Sequence, residues 1–280
     1  MPLPRLQLFE LEDLTWFPQT IRNLATDYLH FMDTRFSLYK PVVPVLRAML
    51  ENSKTSCIVD LCSGGGGPIP SLYEVLLPDH DRIQFTLTDK YPNIDAFRRL
   101  SSQYPSGIRY VADPVDATNV PKDLAGQRIM FNAFHHFPPM SARLVLENAV
   151  RAQEPIGIFE FVERSLPMLV SFLFTPIFVL FATPLIKPFR LKRLVWTYLI
   201  PLVPLAVWWD GIISACRAYT VTEMLAMTQG FVDYDWKADR VGIQGTTAHL
   251  THLVGIPRSS RVSNSEALRT AESRGNSPHS

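Results

Sequence analysis

The chain reads as an α/β protein built on a doubly wound, mostly parallel sheet, and three observations predict it. Apolar or β-rich runs at residues 57–61, 82–87, 108–112, 129–134 and 156–162 alternate with segments of helical period, the signature of a parallel sheet with crossover helices. The first run, Cys57-Ile58-Val59-Asp60-Leu61, is mostly apolar and β-branched at its centre, as a strand buried on both faces requires. It leads into four successive glycines, Gly64 to Gly67, and then a helical stretch over residues 69–77. Strand, bare turn and helix N-terminus together make a nucleotide-type pocket, where positive φ is permitted and a ligand can approach the backbone.

Composition bounds the alternatives. The 280 residues suffice for one α/β domain with an insertion, or at most two domains, and 47% hydrophobic content supplies a sizeable core. A net charge of +1 argues against a nucleic-acid partner. Cys57, Cys62 and Cys216 form no metal-spaced set and no disulfide framework, which fits a reducing compartment. The opening Met-Pro-Leu-Pro-Arg carries no basic-then-apolar signal, so a cytosolic start is expected.

In chain order, residues 9–49 are expected to be helical, with Pro18 in a first turn and Ile21, Leu24, Tyr28 and Leu29, then Val43, Leu46 and Leu50, at helical spacing. Asp60 closes the first strand. A dinucleotide fingerprint places its acid about 20 residues beyond the glycines and a pyrophosphate on the helix terminus. A carboxylate ahead of the glycines would repel a pyrophosphate and favour a cation. Here the sequence resembles the class I S-adenosylmethionine-dependent methyltransferases, whose first motif runs acid-x-Gly-x-Gly-x-Gly. Asp60, Gly64 and Gly66 match it, and Cys62 stands where the family has its first glycine. The resemblance implies S-adenosylmethionine as cofactor, a ligand with a sulfonium, an ammonium and no phosphate. It also implies that residues 1–55 are helices covering the cofactor, with Tyr28, Arg35 and Tyr39 as candidate pocket contacts; packing on the sheet edge is the alternative.

The second strand ends at Thr88-Asp89. By resemblance Asp89 is the ribose-binding acid, since an ionised carboxylate can accept two vicinal hydroxyls; it could also cap a helix over residues 91–100. After the third strand, Asp116-Ala117 matches the acid and small residue that touch adenine in the family, while Asp113, ahead of Pro114, orders the turn. The fourth strand leads into Asn132-Ala133-Phe134-His135-His136-Phe137-Pro138-Pro139, a segment expected to look into the site with Asn132 against the cofactor. His135 or His136 could serve as a general base near neutral pH. In a strand-like segment the two would point opposite ways, and packing roles compete. A helix over residues 141–152 and the fifth strand follow, with Glu160 and Glu163 as candidate acceptor contacts. No metal site is expected, because no tight ligand spacing supports one. The family ends its sheet with an antiparallel hairpin, and residues 230–240 and 248–256 fit those strands. The expected fold is thus a seven-stranded sheet, with residues 56–164 and 210–257 as the methyltransferase domain.

Between these halves, residues 165–186 carry no charge, Lys187, Arg190, Lys192 and Arg193 follow in a short loop, and residues 194–209 are again uncharged. Pro167, Pro176, Pro184, Pro201 and Pro204 interrupt both apolar runs. Two full spans would put the basic loop on the far side of a membrane, against the bias of Lys and Arg for the cytoplasm. The preferred expectation for residues 165–209 is therefore an apolar helical insertion dipping into one leaflet, with the cationic loop at anionic headgroups and Trp196, Tyr198, Trp208 and Trp209 at the interface. A soluble lid or dimer surface and a two-span hairpin are the alternatives. An apolar insertion above the methyl group implies a small apolar, lipid-like or membrane-dissolved acceptor, with Asp210 as an acceptor contact or helix cap. Residues 258–280 lack apolar content and are expected to be disordered. The expected protein is a methyltransferase at the cytoplasmic face of a membrane, or in the cytoplasm. Its competitors are a catalytically silent cofactor-binding scaffold and a dinucleotide-dependent oxidoreductase.

Overall fold

The computed structural model describes residues 3–53 and 55–258. Beyond Arg258, the expectation of a disordered tail lies outside the described residues. Helices α1 (Gln19–Phe36) and α2 (Val43–Glu51) precede β1 (Cys57–Leu61), α3 (Ile69–Leu76), β2 (Gln84–Leu87), α4 (Ile94–Gln103) and β3 (Ile108–Tyr110). Next come β4 (Gln127–Phe131), α5 (Pro139–Ala152) and β5 (Ile156–Glu160). The insertion holds four α-helices, α6 (Leu166–Phe172), α7 (Thr175–Ala182), α8 (Leu191–Leu194) and α9 (Leu202–Arg217), with a 3-10 turn at Thr183–Leu185 and a π-helical turn at Val195–Leu199. Then α10 (Val221–Met227), β6 (Tyr234–Gly242) and β7 (His249–Pro257) complete the fold.

The seven strands lie in the order β3-β2-β1-β4-β5-β7-β6. Pairing is parallel from β3 to β5, while β7 runs antiparallel to both β5 and β6. This is the Rossmann-like arrangement with a terminal hairpin that the glycine motif implied. Side-chain alternation explains the continuous apolar runs. Ile58, Phe85, Ile129 and Phe131 face one layer, with α2, α3 and α4, whereas Val59, Leu61, Met130 and Ile158 face α5 and α10. The sheet grows one way from β1 to β3 and the other way from β4, so a crevice opens past the carboxyl ends of β1 and β4.

Several expected boundaries move for local reasons. The fourth strand stops at Phe131, because Phe134–His136 folds as a 3-10 turn. Helix α4 is capped by Asn93, whose side chain accepts from the Ala96 amide, so Asp89 is not its cap. Helix α10 starts from a capping box in which Thr220 and Glu223 bond reciprocally. Asp210 is no helix cap either: it sits within α9.

The insertion and α1 share a core of their own, including Ile21, Leu24, Tyr28, Val179, Val203 and Val207. A buried ionic latch fastens them. Asp27 of α1 receives Arg193 at 2.8 Å, Arg99 at 3.3 Å and Arg190 at 3.6 Å. Arg193 also donates to the carbonyls of Ile186 and Pro188. Two of the four cations expected to face headgroups are thus turned inward, leaving Lys187 and Lys192 exposed. Among the described residues no single helix is long and apolar enough to cross a membrane. The pairs Leu166–Phe172 with Thr175–Leu185 and Leu191–Leu199 with Leu202–Arg217 have the length and composition together, bent by 46° and 72°.

Candidate functional site

The glycine turn after β1 is held by short bonds. The Ser63 amide donates to the Thr88 carbonyl and the Gly66 amide to the Ser63 carbonyl at 2.7 Å. The Gly64 amide donates to Asp89 Oδ2 at 2.7 Å, and the Tyr91 amide to Asp89 Oδ1 at 2.8 Å. Cys62, at the place of a family glycine, takes up the left-handed backbone itself with φ 59°. Gly65 is required by close approach: a Cβ there would lie 2.7 Å from the Thr26 carbonyl oxygen of α1. Three of the turn's amides, those of Ser63, Gly64 and Gly66, are thus already consumed, and that of Gly64 faces a carboxylate. A diphosphate seeking those N–H groups would meet like charge, whereas a cation would not.

One cavity of about 1390 Å³ runs over this turn. Cys62, Gly64, Asp89, Asp116, Ala117 and Asn132 of the expected cofactor set line it. Asp60 does not. It is 2% exposed, lies outside the lining, and its Oδ1 has no hydrogen-bond partner. The carboxylate that stands in the cavity wall is that of Asp89, not Asp60. Gly66 is likewise off the lining; at φ 99° it closes the turn against Leu100. Asp116 Oδ1 accepts from the amide and hydroxyl of Thr118, leaving its second oxygen 3.9 Å from Lys90. Asn132, at φ 48°, spends its side-chain oxygen on the amides of Phe161 and Val162, tying β4 to β5. Tyr28, Arg35 and Tyr39 all line the cavity.

The segment after β4 departs from expectation. On the 3-10 turn, His135 and His136 do not splay apart; their rings lie 4.5 Å apart. His135 is fully buried and absent from the lining. Its Nδ1 bonds Glu160 Oε2 at 2.5 Å, and Glu160 Oε1 accepts from the Phe134 amide, so Glu160 supports the turn instead of reaching an acceptor. Glu163 pairs with Arg240. His136 does line the cavity, with Nδ1 on Asp13 Oδ1 at 2.8 Å. Asp210 lines it too, but its carboxylate accepts from the amides of Leu11 and Glu12 and so pins the N-terminal strap.

That strap supplies groups the sequence did not flag. Glu10 lies 3.4 Å from His136 and 3.8 Å from His135, and Arg217 reaches Glu10 at 3.0 Å and Asp13 at 2.7 Å. The only signal was an acid-rich Glu-Leu-Glu-Asp at residues 10–13 outside any apolar period.

Burial pushes the Asp60 carboxyl up to about 8, since desolvation outweighs its Ser63 bond. Burial also raises Asp89 despite its two amide donors. Burial opposes the charge of His136, but Glu10 and Asp13 prevail and push it up to about 10. His136 then holds its proton at neutral pH and has no lone pair to act as a base.

No protein-family profile matches the chain, and no curated protein does. Among solved structures, a SAM-dependent methyltransferase from Aquifex aeolicus is 11% identical with a TM-score of 0.48, covering 82% of this chain and 98% of that one. Magnesium protoporphyrin IX methyltransferase from Synechocystis, with bound SAH, is 12% identical with a TM-score of 0.42, over 80% and 85%. A putative Zn-dependent alcohol dehydrogenase from Rhodobacter sphaeroides is 15% identical with a TM-score of 0.46, over 85% and 98%. At such values, what the chain does has to be read from its own topology and site.

Proposed function

We propose that the chain is an S-adenosylmethionine-dependent methyltransferase acting on a small apolar acceptor at the cytoplasmic face of a membrane. One observation carries this reading. The same cavity joins the bare Gly64–Gly65 backbone and the Asp89 and Asp116 carboxylates to Met168, Phe172 and Phe178 of the insertion. It is larger than a single drug-sized ligand needs, which suits two ligands side by side.

S-adenosylmethionine supplies, when bound, a methyl group on a sulfonium that is ready for in-line displacement. Asp89, with lone pairs left over from its two amide bonds, is placed to accept ribose hydroxyls, and Asp116-Ala117 to meet the adenine edge. The Met and Phe wall orients the acceptor and keeps water out. With His135 outside the cavity and His136 protonated, the chain's contribution is alignment and desolvation, not proton removal by histidine.

The membrane part of the proposal rests on the outer face of the insertion. Phe174, Phe181, Phe189, Leu191 and Leu199 stand in solvent, Phe181 at 75% and Leu199 at 76% exposure, beside Lys187 and Lys192. An apolar surface flanked by lysines suits insertion among anionic headgroups. Labelled S-adenosylmethionine with a total lipid extract, and separately with a soluble extract, tests the whole. Label entering the lipid extract is the expected result. Cofactor binding without transfer to either extract points to the silent scaffold, and transfer only into the soluble extract removes the membrane acceptor. Co-sedimentation with anionic vesicles should be lost when Phe181, Phe189 and Leu199 are replaced by Ser; unchanged sedimentation contradicts the docking face.

A further inference from the structure

We propose that Glu10, His135 and His136 form a binding site for a divalent transition metal ion of the Zn2+ class, clamping the N-terminal strap to the turn after β4. One carboxylate oxygen and one nitrogen from each imidazole lie within 4.8 Å of one another. Tetrahedral Zn2+ with bonds of about 2.0–2.1 Å sets its ligands roughly 3.3 Å apart; His136 Nε2 lies 3.4 Å from Glu10 Oε2 and His135 Nε2 3.8 Å from Glu10 Oε1, so the carboxylate has to turn to present one oxygen to both.

The second ring nitrogen of each histidine is already engaged as metal sites require. His135 Nδ1 faces Glu160 at 2.5 Å and His136 Nδ1 faces Asp13 at 2.8 Å. A carboxylate can only accept there, so each Nδ1 carries a hydrogen and each Nε2 is turned toward Glu10, where a bound metal ion would take the place of the Nε2 proton of His136. These are the carboxylate–histidine pairs that fix ring orientation around a metal.

A further observation points to a ligand. His135 Nε2, on a residue 0% exposed, has no hydrogen-bond partner, and it faces Glu10 Oε1 at 3.8 Å, an oxygen whose ion-pair partner is Arg217 at 3.0 Å. A buried ring nitrogen without a partner opposite a carboxylate oxygen is a costly arrangement, and a shared cation resolves it. Charge permits this. Arg217 takes the Oε1 side of Glu10 and reaches Asp13, but Glu10, Asp13 and Glu160 outnumber Arg217 and a protonated His136 by one carboxylate, and by two once a metal ion replaces that proton. Glu10 and His136 line the cavity while His135 closes the site from behind, so a fourth coordination position would open toward the acceptor. An oxygen, nitrogen or sulfur atom of the acceptor could occupy it.

The test uses the full chain, stripped with chelator and titrated with Zn2+ by calorimetry, and with Co2+ by visible absorption. The expected result is one equivalent of Zn2+ per chain and a tetrahedral Co2+ spectrum without thiolate charge transfer. The near-isosteric Glu10→Gln and His136→Gln should each abolish the binding. Glu160→Gln, which sits behind His135 and under the Phe134 amide without reaching the ion, should weaken it by about 10–100-fold. The proposal is overturned if the folded wild-type chain takes up no Zn2+, if Co2+ shows thiolate ligation, or if Glu10→Gln and His136→Gln bind as the wild type does. Should either variant fail to fold, the wild-type Co2+ spectrum decides. S-adenosylmethionine binding, measured separately, is the test of the methyltransferase reading, and either result can stand without the other.

Discussion

Of the two acids that the motif puts at the cofactor, only Asp89 reaches the cavity. The motif acid sits beneath the turn, 2% exposed and with an unpartnered oxygen, while the acid at the end of β2 binds the glycine amide and faces the cavity. The sequence made both carboxylates visible, because each ends a strand at the spacing of a crossover. It could not say which one points into the crevice, since that depends on side-chain direction within a turn. Burial raises Asp60 from its ordinary value to about 8 in the fold. The sign follows directly. A carboxyl with a raised folded pKa contributes stability that is fully present below the unfolded value and is lost as pH rises through the folded one. Between about pH 5 and 8 this amounts to a loss on the order of a few kcal/mol. Asp60→Asn should therefore flatten the decline of unfolding free energy over that window. Denaturant titrations at several pH values check this, and an equally steep decline in the variant contradicts it.

At the scale of elements, the strand–turn–helix unit was legible, but the partner that shapes its turn was not. Gly65 is needed because the backbone of α1 passes against it, and nothing near Gly65 in sequence announces Thr26. Gly65→Ala should cost about 1–3 kcal/mol by overpacking and loosen α1, readable as a lowered melting temperature with faster amide exchange in α1. A variant as stable as the wild type excludes that contact. The basic loop teaches a similar lesson. Four cations between two apolar runs suggest headgroups, yet Asp27 draws Arg190 and Arg193 inward. Asp27→Ala leaves Arg193 buried without its counter-charge and should destabilise the fold by about 3–5 kcal/mol, with the insertion becoming protease-sensitive first. Destabilisation below about 1 kcal/mol, the range of an exposed pair, shows the latch to be superficial. The two histidines were misjudged for a reason of the same kind. Extending the strand to Phe134 gives them opposite directions, and the 3-10 turn gives them neighbouring ones.

For the whole molecule, alternation of strand and helix foretold the parallel sheet, because it follows from local period and connection length, and the family resemblance implied the terminal hairpin. The roof over the cavity was foretold only in part. It is assembled from α1 and the insertion, distant in sequence, and the strap at residues 5–13 closes its flank through Arg5, Glu10 and Asp13. Contacts of that range leave no periodic trace in the chain. They decide, however, that the glycine turn and the apolar insertion share one cavity, and the functional reading depends on that.

The claim at the centre is that a carboxylate bound to a glycine amide makes this cavity accept S-adenosylmethionine and refuse a diphosphate-bearing dinucleotide. Calorimetric titration of the full chain with S-adenosylmethionine, with NADH, and with S-adenosylmethionine against Asp89→Ala measures it most directly. The account predicts saturable binding of the first, none of the second, and about 10–100-fold weaker binding in the variant, near 1.4 kcal/mol per tenfold. Saturable NADH binding, no binding of S-adenosylmethionine, or an Asp89→Ala variant that binds it as tightly as the wild type would contradict it.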